Sequence, residues 1–169
     1  MRIATWNVNS LNARTERVDE WLDYACPDVL LLQETKMSNE QFPHEHYSRQ
    51  GYESVHCGEG RWNGVAILSR VGIEDPFMGF ADGEDADPEA RMISGTCGGV
   101  RVSSVYVPNG RAVDHDHYQY KLHWLSRLRK HLDASCDPDG WVLVGGDYNI
   151  CPDHRDVWDP TNPAPRTHV

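Results

Sequence analysis

Four short strings follow one another along this chain of 169 residues: Thr5-Trp6-Asn7-Val8-Asn9, Leu32-Gln33-Glu34-Thr35-Lys36, Val105-Tyr106-Val107-Pro108-Asn109-Gly110 and Gly145-Gly146-Asp147-Tyr148-Asn149. Each closes an apolar run. An amide, a carboxylate, a phenol and a carboxylate-amide pair at strand ends can meet on one rim, as ligand-binding groups do at the carboxyl ends of strands in open α/β sheets. Carboxylate and amide oxygens without thiolate partners are hard ligands, which suits Mg²⁺ or Mn²⁺ better than zinc or copper. Glu34 is the leading ligand candidate; with Asn7 and a substrate oxygen it would suffice for an ion that keeps several of its waters. Asp147 and Asn149 stand two residues apart, so extended chain aims both the same way, and Gly145 and Gly146 leave room for a ligand or another backbone. Plainer readings compete at each position: a solvated strand-end Glu, an Asx turn at Asp147 and Asn149, and a core tyrosine at 106.

The elements that must position these residues follow from periodicity. Residues 2–7 read as a first strand and residues 13–25 as a helix with Val18, Trp21, Leu22 and Ala25 on one face, ended by Pro27. Residues 28–33 are short and apolar in the middle, the mark of a buried strand that delivers Glu34. Residues 52–57 and 65–69 form a hairpin-like pair across a glycine-rich connection, and residues 91–96 and 100–107 a second pair across Gly98 and Gly99. In that last strand Val100, Val102, Ser104 and Tyr106 share one face, and Ser103, Val105 and Val107 the other. Residues 114–134 carry Tyr118, Leu122, Leu125, Leu128 and Leu132 at helical spacing, with Asp114 as the expected cap. Residues 141–144 are the last clear strand, and beyond Pro152 the chain turns proline- and aspartate-rich. Strands mixed with helices predict an α/β layered domain. Strands this apolar on both faces require a second covering layer besides helices.

Composition fits one domain, or part of one, with a sizeable core. No apolar stretch reaches the length of a membrane span, and Met1-Arg2-Ile3 enters a strand at once, so a cytoplasmic location is expected. Five widely spaced cysteines predict reduced thiols. The pairs His44/His46 and His115/His117 lack the further ligands of a zinc site. A net charge of −10 disfavours nucleic-acid binding by bulk electrostatics, yet residues 82–89 hold five of the acids; removing them leaves 21 acids against 16 bases. Arg14, Lys36, Arg61, Arg91 and Arg111 are candidates for a local basic rim.

Over nearly its whole length, through Trp6-Asn7-Val8-Asn9, Leu32-Gln33-Glu34-Thr35-Lys36, Gly64-Val65-Ala66-Ile67-Leu68-Ser69, Arg91, Tyr106-Val107-Pro108-Asn109-Gly110 and Gly146-Asp147-Tyr148-Asn149, the chain resembles the exodeoxyribonuclease III and apurinic/apyrimidinic endonuclease family. The resemblance implies metal-assisted hydrolysis of a DNA phosphodiester in double-stranded DNA with abasic sites or 3′ ends. It implies Mg²⁺ (or Mn²⁺) held by Asn7 and Glu34, with Asp147 and Asn149 beside it. Asp147 matches the acid that handles the attacking water or leaving group, Asn149 the amide that orients the phosphate, Tyr106 the phenol at the scissile phosphate, and Arg91 and Asn109 positions near the DNA backbone. The implied fold is a four-layer α/β/β/α sandwich built from two sheets. Family members continue further, with an Arg-Ile-Asp strand and a terminal Ser-Asp-His; neither occurs here, and His154 and His168 do not stand in those motifs. The expectation is therefore the N-terminal part of such a domain, supplying the first sheet and the beginning of an incomplete second one, a monomer only at full length. Alone it is expected to be barely active and prone to associate through apolar surface. The alternatives are a non-catalytic DNA-binding or structural fragment, and a related phosphodiesterase or phosphatase acting on a phosphoinositide or phospholipid.

Overall fold

The computed structural model describes residues 1–157 and 159; His168 and the prolines at 160, 163 and 165 lie outside the described residues. β1 (Ile3–Asn7) leads into α1 (Thr15–Ala25), which returns the chain to β2 (Val29–Gln33), parallel to β1. The helix stops where Cys26 turns left-handed, its N–H bonding Leu22 O, and Pro27 follows. α2 (His44–Arg49) precedes β3 (Glu53–Cys57), and β3 pairs antiparallel with β4 (Val65–Ser69), giving a first sheet in the order β1-β2-β4-β3. β5 (Glu74–Met78), β6 (Met92–Cys97), β7 (Val100–Tyr106) and β8 (Val142–Asp147) form the second sheet in sequence order. α3 (Asp116–Ser135) is the crossover that makes β7 and β8 parallel.

The two sheets pack face to face, which supplies the second covering layer. Side chains of β2 alternate: Leu30 and Leu32 join the helix-side cluster with Val18, Leu22 and Tyr47, while Val29 and Leu31 join Val65, Ile67, Ile93 and Val102 between the sheets. All four β2 aliphatics have no exposed surface, so the run reads as uniformly apolar. On β7, Val102 faces the first sheet, and Val105 packs with Trp124 and Leu128 of α3. The layers are helix, sheet, sheet, helix. None of the helices among the described residues is long and apolar enough to cross a membrane.

Several local expectations need correction. Among the described residues the second sheet holds four strands, the unexpected one being β5, while the chain spans only part of the sandwich of its structural neighbours. β5 contains Pro76, is exposed throughout and slips register against β6, so no alternation announces it. α2 is a six-residue helix too short for a period. The buried stripe of α3 is Lys121, Trp124, Arg127, Leu128 and His131, whereas Leu122 is 44% exposed. Trp124 turns the helix, and the polar members of the stripe are absorbed by hydrogen bonds: Lys121 Nζ to Asn149 O, Arg127 to Asp82, and Ala81 N to His131 Nδ1. Finally, His115 rather than Asp114 caps α3, its Nδ1 accepting from His117 N at 3.0 Å, because the helix starts at Asp116.

Candidate active site

Asn7 ends β1, Glu34 follows β2, Tyr106 ends β7 and Asp147 ends β8. Since β1 and β2 are parallel, as are β7 and β8, these four carboxyl ends come out at one end of the two packed sheets. Asn7 Nδ2 donates to Glu34 Oε1 at 2.8 Å and to Asp147 Oδ2 at 2.8 Å, so the two carboxylate oxygens lie no more than twice that distance apart. The Tyr106 hydroxyl donates to Glu34 as well. Lys36 Nζ pairs with Glu34 Oε2 at 2.9 Å and reaches Asn9 Oδ1.

The Asp147 string forms the Asx turn, with Asn149 left-handed rather than extended, and the second Asp147 carboxylate oxygen reaches Asn7. Asp147 Oδ1 accepts from Asn149 N at 3.0 Å, an Asx turn, which leaves Oδ2 for Asn7. Asn149 Nδ2 donates to Val107 O at 2.8 Å, and its Oδ1 accepts from Asn109 Nδ2 at 3.2 Å, so the Tyr106 and Asp147 strings are stitched side to side. Gly146 sits at φ 153, where a Cβ would stand 1.9 Å from Val105 O; only glycine lets β8 approach β7 here.

Backbone strain gathers at the rim. Asn9, Glu34, Lys36 and Asn149 all take left-handed conformations, with φ between 43° and 53°. Non-glycine residues hold such conformations where surrounding contacts over-determine them, as at ligand-binding sites. Beneath Glu34, Gln33 is buried; its amide donates to Ser104 Oγ at 3.0 Å, and Ser104 donates to Leu32 O at 3.0 Å, tying the two sheets together.

Electrostatically, burial pushes the Glu34 carboxyl up, but hydrogen bonds from Asn7, Lys36 and Tyr106 outweigh it and hold the group below its ordinary value. Burial, followed by the charge and hydrogen bond of Glu34, holds the Tyr106 phenol far above its ordinary value and therefore protonated as a donor. Arg91 is nearly buried. It pairs with Glu89, donates to Tyr106 O at 3.1 Å, and lies over the Tyr106 ring with its guanidinium 4.6 Å from the centroid. Glu34 Oε1 and Asp147 Oδ2 are the hard donors of the set, and both converge on the partial positive charge of the Asn7 amide, whose Oδ1 accepts from Asn9 N at 3.0 Å. A hard divalent cation has the same electrostatic complement, so the residues fit Mg²⁺ or Mn²⁺. Among the described residues no group of three or more His, Cys, Asp and Glu could hold a metal ion, so waters and a substrate oxygen would complete the coordination.

Three of the four histidines in the two pairs are otherwise engaged, while His117 Nδ1 is buried without a hydrogen-bond partner among the described residues. His44 Nδ1 bonds Ser54 Oγ, His46 Nε2 bonds Asp19, and His115 caps α3. All five cysteines are free thiols. Of the basic rim, Arg14 donates to Asn9 O at 2.6 Å and Lys36 lies in the site. Arg61 and Arg111 are exposed on neighbouring loops, and Arg91 is behind Tyr106. The five acids of residues 82–89 are partly neutralised by α3: Arg127 pairs with Asp82 and Lys130 with Glu84. Sequence reasoning overlooked Lys121 and the buried Thr35. A lysine in line with Trp124 and Leu128 on one helix stripe is the signal that was available for Lys121.

Residues 4–167 match the Endonuclease/Exonuclease/phosphatase family, and the chain belongs to it. It is 30% identical over 161 residues to exodeoxyribonuclease III of Haemophilus influenzae, covering 93% of this chain and 60% of that protein. It is 27% identical to an exodeoxyribonuclease of Bacillus subtilis, covering 95% of this chain and 63% of that one. Among solved structures it is similar to a 3′-5′ exonuclease from Neisseria meningitidis, with a TM-score of 0.89 and 39% identity over 95% of this chain and 62% of that one. An AP endonuclease from Archaeoglobus fulgidus gives 0.91 and 38% over 99% and 65%. The chain thus spans about three-fifths of the length of these relatives.

Proposed function

We propose that this chain carries the metal-binding half of the site of a Mg²⁺- or Mn²⁺-dependent DNA-repair nuclease, acting at abasic sites and at 3′ ends of double-stranded DNA. The single observation that supports the reading most is the convergence of Glu34 Oε1 and Asp147 Oδ2 on Asn7 Nδ2, each at 2.8 Å. The names of the relatives, and a Neisseria 3′ phosphatase structure bound to a product DNA hairpin, favour DNA over lipid or inositol phosphates as the substrate.

Glu34 and Asn7 would hold the ion, with Asp147 and Asn149 adjoining; the ion supplies charge stabilisation at the scissile phosphate and the departing oxygen. Asp147 Oδ2, the oxygen left over from the Asx turn, would orient a water and take its proton. Tyr106, kept protonated, would turn its one O–H from Glu34 to a phosphate oxygen, and Arg91 lies over its ring. Asn149 and Asn109 offer amide donors beside the same phosphate. Arg14, Arg61 and Arg111 line the approach of the duplex, where phosphate neutralisation confers affinity.

The test is cleavage of duplex DNA containing one abasic site by the gene product that contains this chain. Glu34→Ala and Asp147→Asn are each expected to lower the rate on the order of 10²–10⁴-fold. Unchanged rates in both variants would overturn the proposal. Salt-sensitive binding of the same DNA without cleavage would point instead to a binding fragment, and preferential hydrolysis of inositol phosphates to a different substrate class.

A further inference from the structure

His56 lies on β3, two strands away from the β2 end that carries Glu34, with β4 between them. The segment after β2 crosses the start of β4 to reach it: Thr35 N donates to Gly64 O at 3.2 Å, Lys36 N donates to Asn63 O at 3.0 Å, and Thr35 Oγ1 is 2.8 Å from His56 Nε2. Thr35 has no exposed surface and His56 is 3% exposed. A slot is cut for each of them. A Cβ at Gly64 would stand 2.1 Å from Thr35 Oγ1, and a Cβ at Gly58 would stand 2.2 Å from His56 Cε1. Phe42 stacks on the His56 ring at 4.3 Å between centroids, 20° from parallel.

The same short segment carries the site. Its neighbours Glu34 and Lys36 both take left-handed backbone conformations and pair with each other, and they can face outward together because Thr35 between them is drawn inward. On the other flank, Ser10 N donates to Glu34 O at 2.7 Å and Leu11 N to Thr35 O at 3.0 Å, so the loop after Asn7 hangs on this segment too. We infer that His56 is a positioning residue of the cation site, holding Glu34 in place through the Thr35 hydroxyl. The inference rests on the reading of Glu34 as a cation ligand. Burial keeps the ring neutral near pH 7, which preserves the choice of tautomer that meets a hydroxyl.

The probe is Mn²⁺ alone, its binding to the 169-residue chain followed by the loss of the free-ion electron paramagnetic resonance signal, with far-UV circular dichroism reporting the fold. Thr35→Val keeps the shape and removes the hydroxyl; it is expected to weaken Mn²⁺ binding about tenfold. Thr35→Ser restores the hydroxyl and is expected to bind within about twofold of the parent chain. Should Thr35→Val not fold, His56→Gln, which retains a hydrogen-bonding amide, is expected to bind at least fivefold more tightly than His56→Leu. Folded Thr35→Val with parental affinity, or equal affinity in the two His56 variants, would overturn the inference. Failure of the underlying reading would look different: Glu34→Ala and the parent chain would bind Mn²⁺ equally, or neither would bind it.

Discussion

His56 is the residue whose burial has the plainest measurable consequence. An unfolded histidine titrates near 6.5, whereas burial lowers this ring to about 4, so between those values the unfolded chain takes up a proton that the folded chain refuses. Stability contributed here is therefore present above pH 6.5 and is lost as pH falls towards 4, by roughly 3 kcal/mol at most. Urea unfolding at a series of pH values should show this slope, and His56→Phe, which keeps the packing on Phe42, should flatten it. His117 and His131, lowered by burial as well, act in the same direction and leave some slope behind. At Tyr106, the phenol donates to Glu34 while Arg91 lies on its ring. Tyr106→Phe keeps the ring stacked and removes the donor, so cleavage of abasic DNA by the gene product should fall about ten- to a hundredfold with DNA affinity little changed. A fall in affinity alone would place the phenol outside the chemistry. Asn7, Glu34, Tyr106, Asp147 and Asn149 were legible in the sequence because each ends an apolar run with a polar side chain. Thr35 and His56 were not, because a buried hydroxyl meeting a buried imidazole two strands away leaves no trace in local spacing.

The acidic stretch at residues 82–89 is better described with α3 than by itself. Asp82 has no exposed side-chain surface and takes Arg127 Nε at 2.6 Å, which holds its carboxyl down to about 2; Arg127 Nη2 also reaches Asp85 O, and Lys130 pairs with Glu84 at 2.7 Å. Asp82→Ala leaves Arg127 buried without its carboxylate. It should cost about 2 kcal/mol in urea unfolding at pH 7, below the cost of breaking a deeply enclosed pair because the loop borders solvent. Asp82 adds stability above pH 3.8 that is lost as pH falls through about 2, so the variant should match the parent more closely in strong acid. A stripe that mixes Lys121, Arg127 and His131 with Trp124 defeats a reading based on leucine spacing, and this explains why the α3 face was placed one position off while its length was not. β2, β4, β6 and β7 were readable because both of their faces bury apolar side chains, and β1, β3 and β8 because each is a short run rich in apolar side chains, bounded by turn residues. β5 and α2 lack that signature: one is an exposed strand containing a proline, the other a single short turn of helix.

At the scale of the molecule, among the described residues β1 and β8 are flanking strands, bonded on one side only, and they lie on the same side of the sandwich. Trp141 at the start of β8 is 81% exposed and Val142 39%. An unpaired strand edge beside exposed apolar side chains invites association. Sedimentation velocity of the 169-residue chain should therefore show concentration-dependent species larger than a monomer, reduced by Trp141→Lys; one species at all concentrations would contradict this. Asn7 and Asp147, two of the groups that converge in the site, belong to these two outermost ribbons, while Glu34 and Tyr106 stand on ribbons braced from either flank. Local opening should thus begin at the strand ends that carry Asn7 and Asp147, and deuterium should enter the amides of Asn7 and Asp147 sooner than those of Gln33 and Tyr106. Whatever grips the outer pair would then hold Asn7 and Asp147 beside Glu34, with no contact to those side chains themselves.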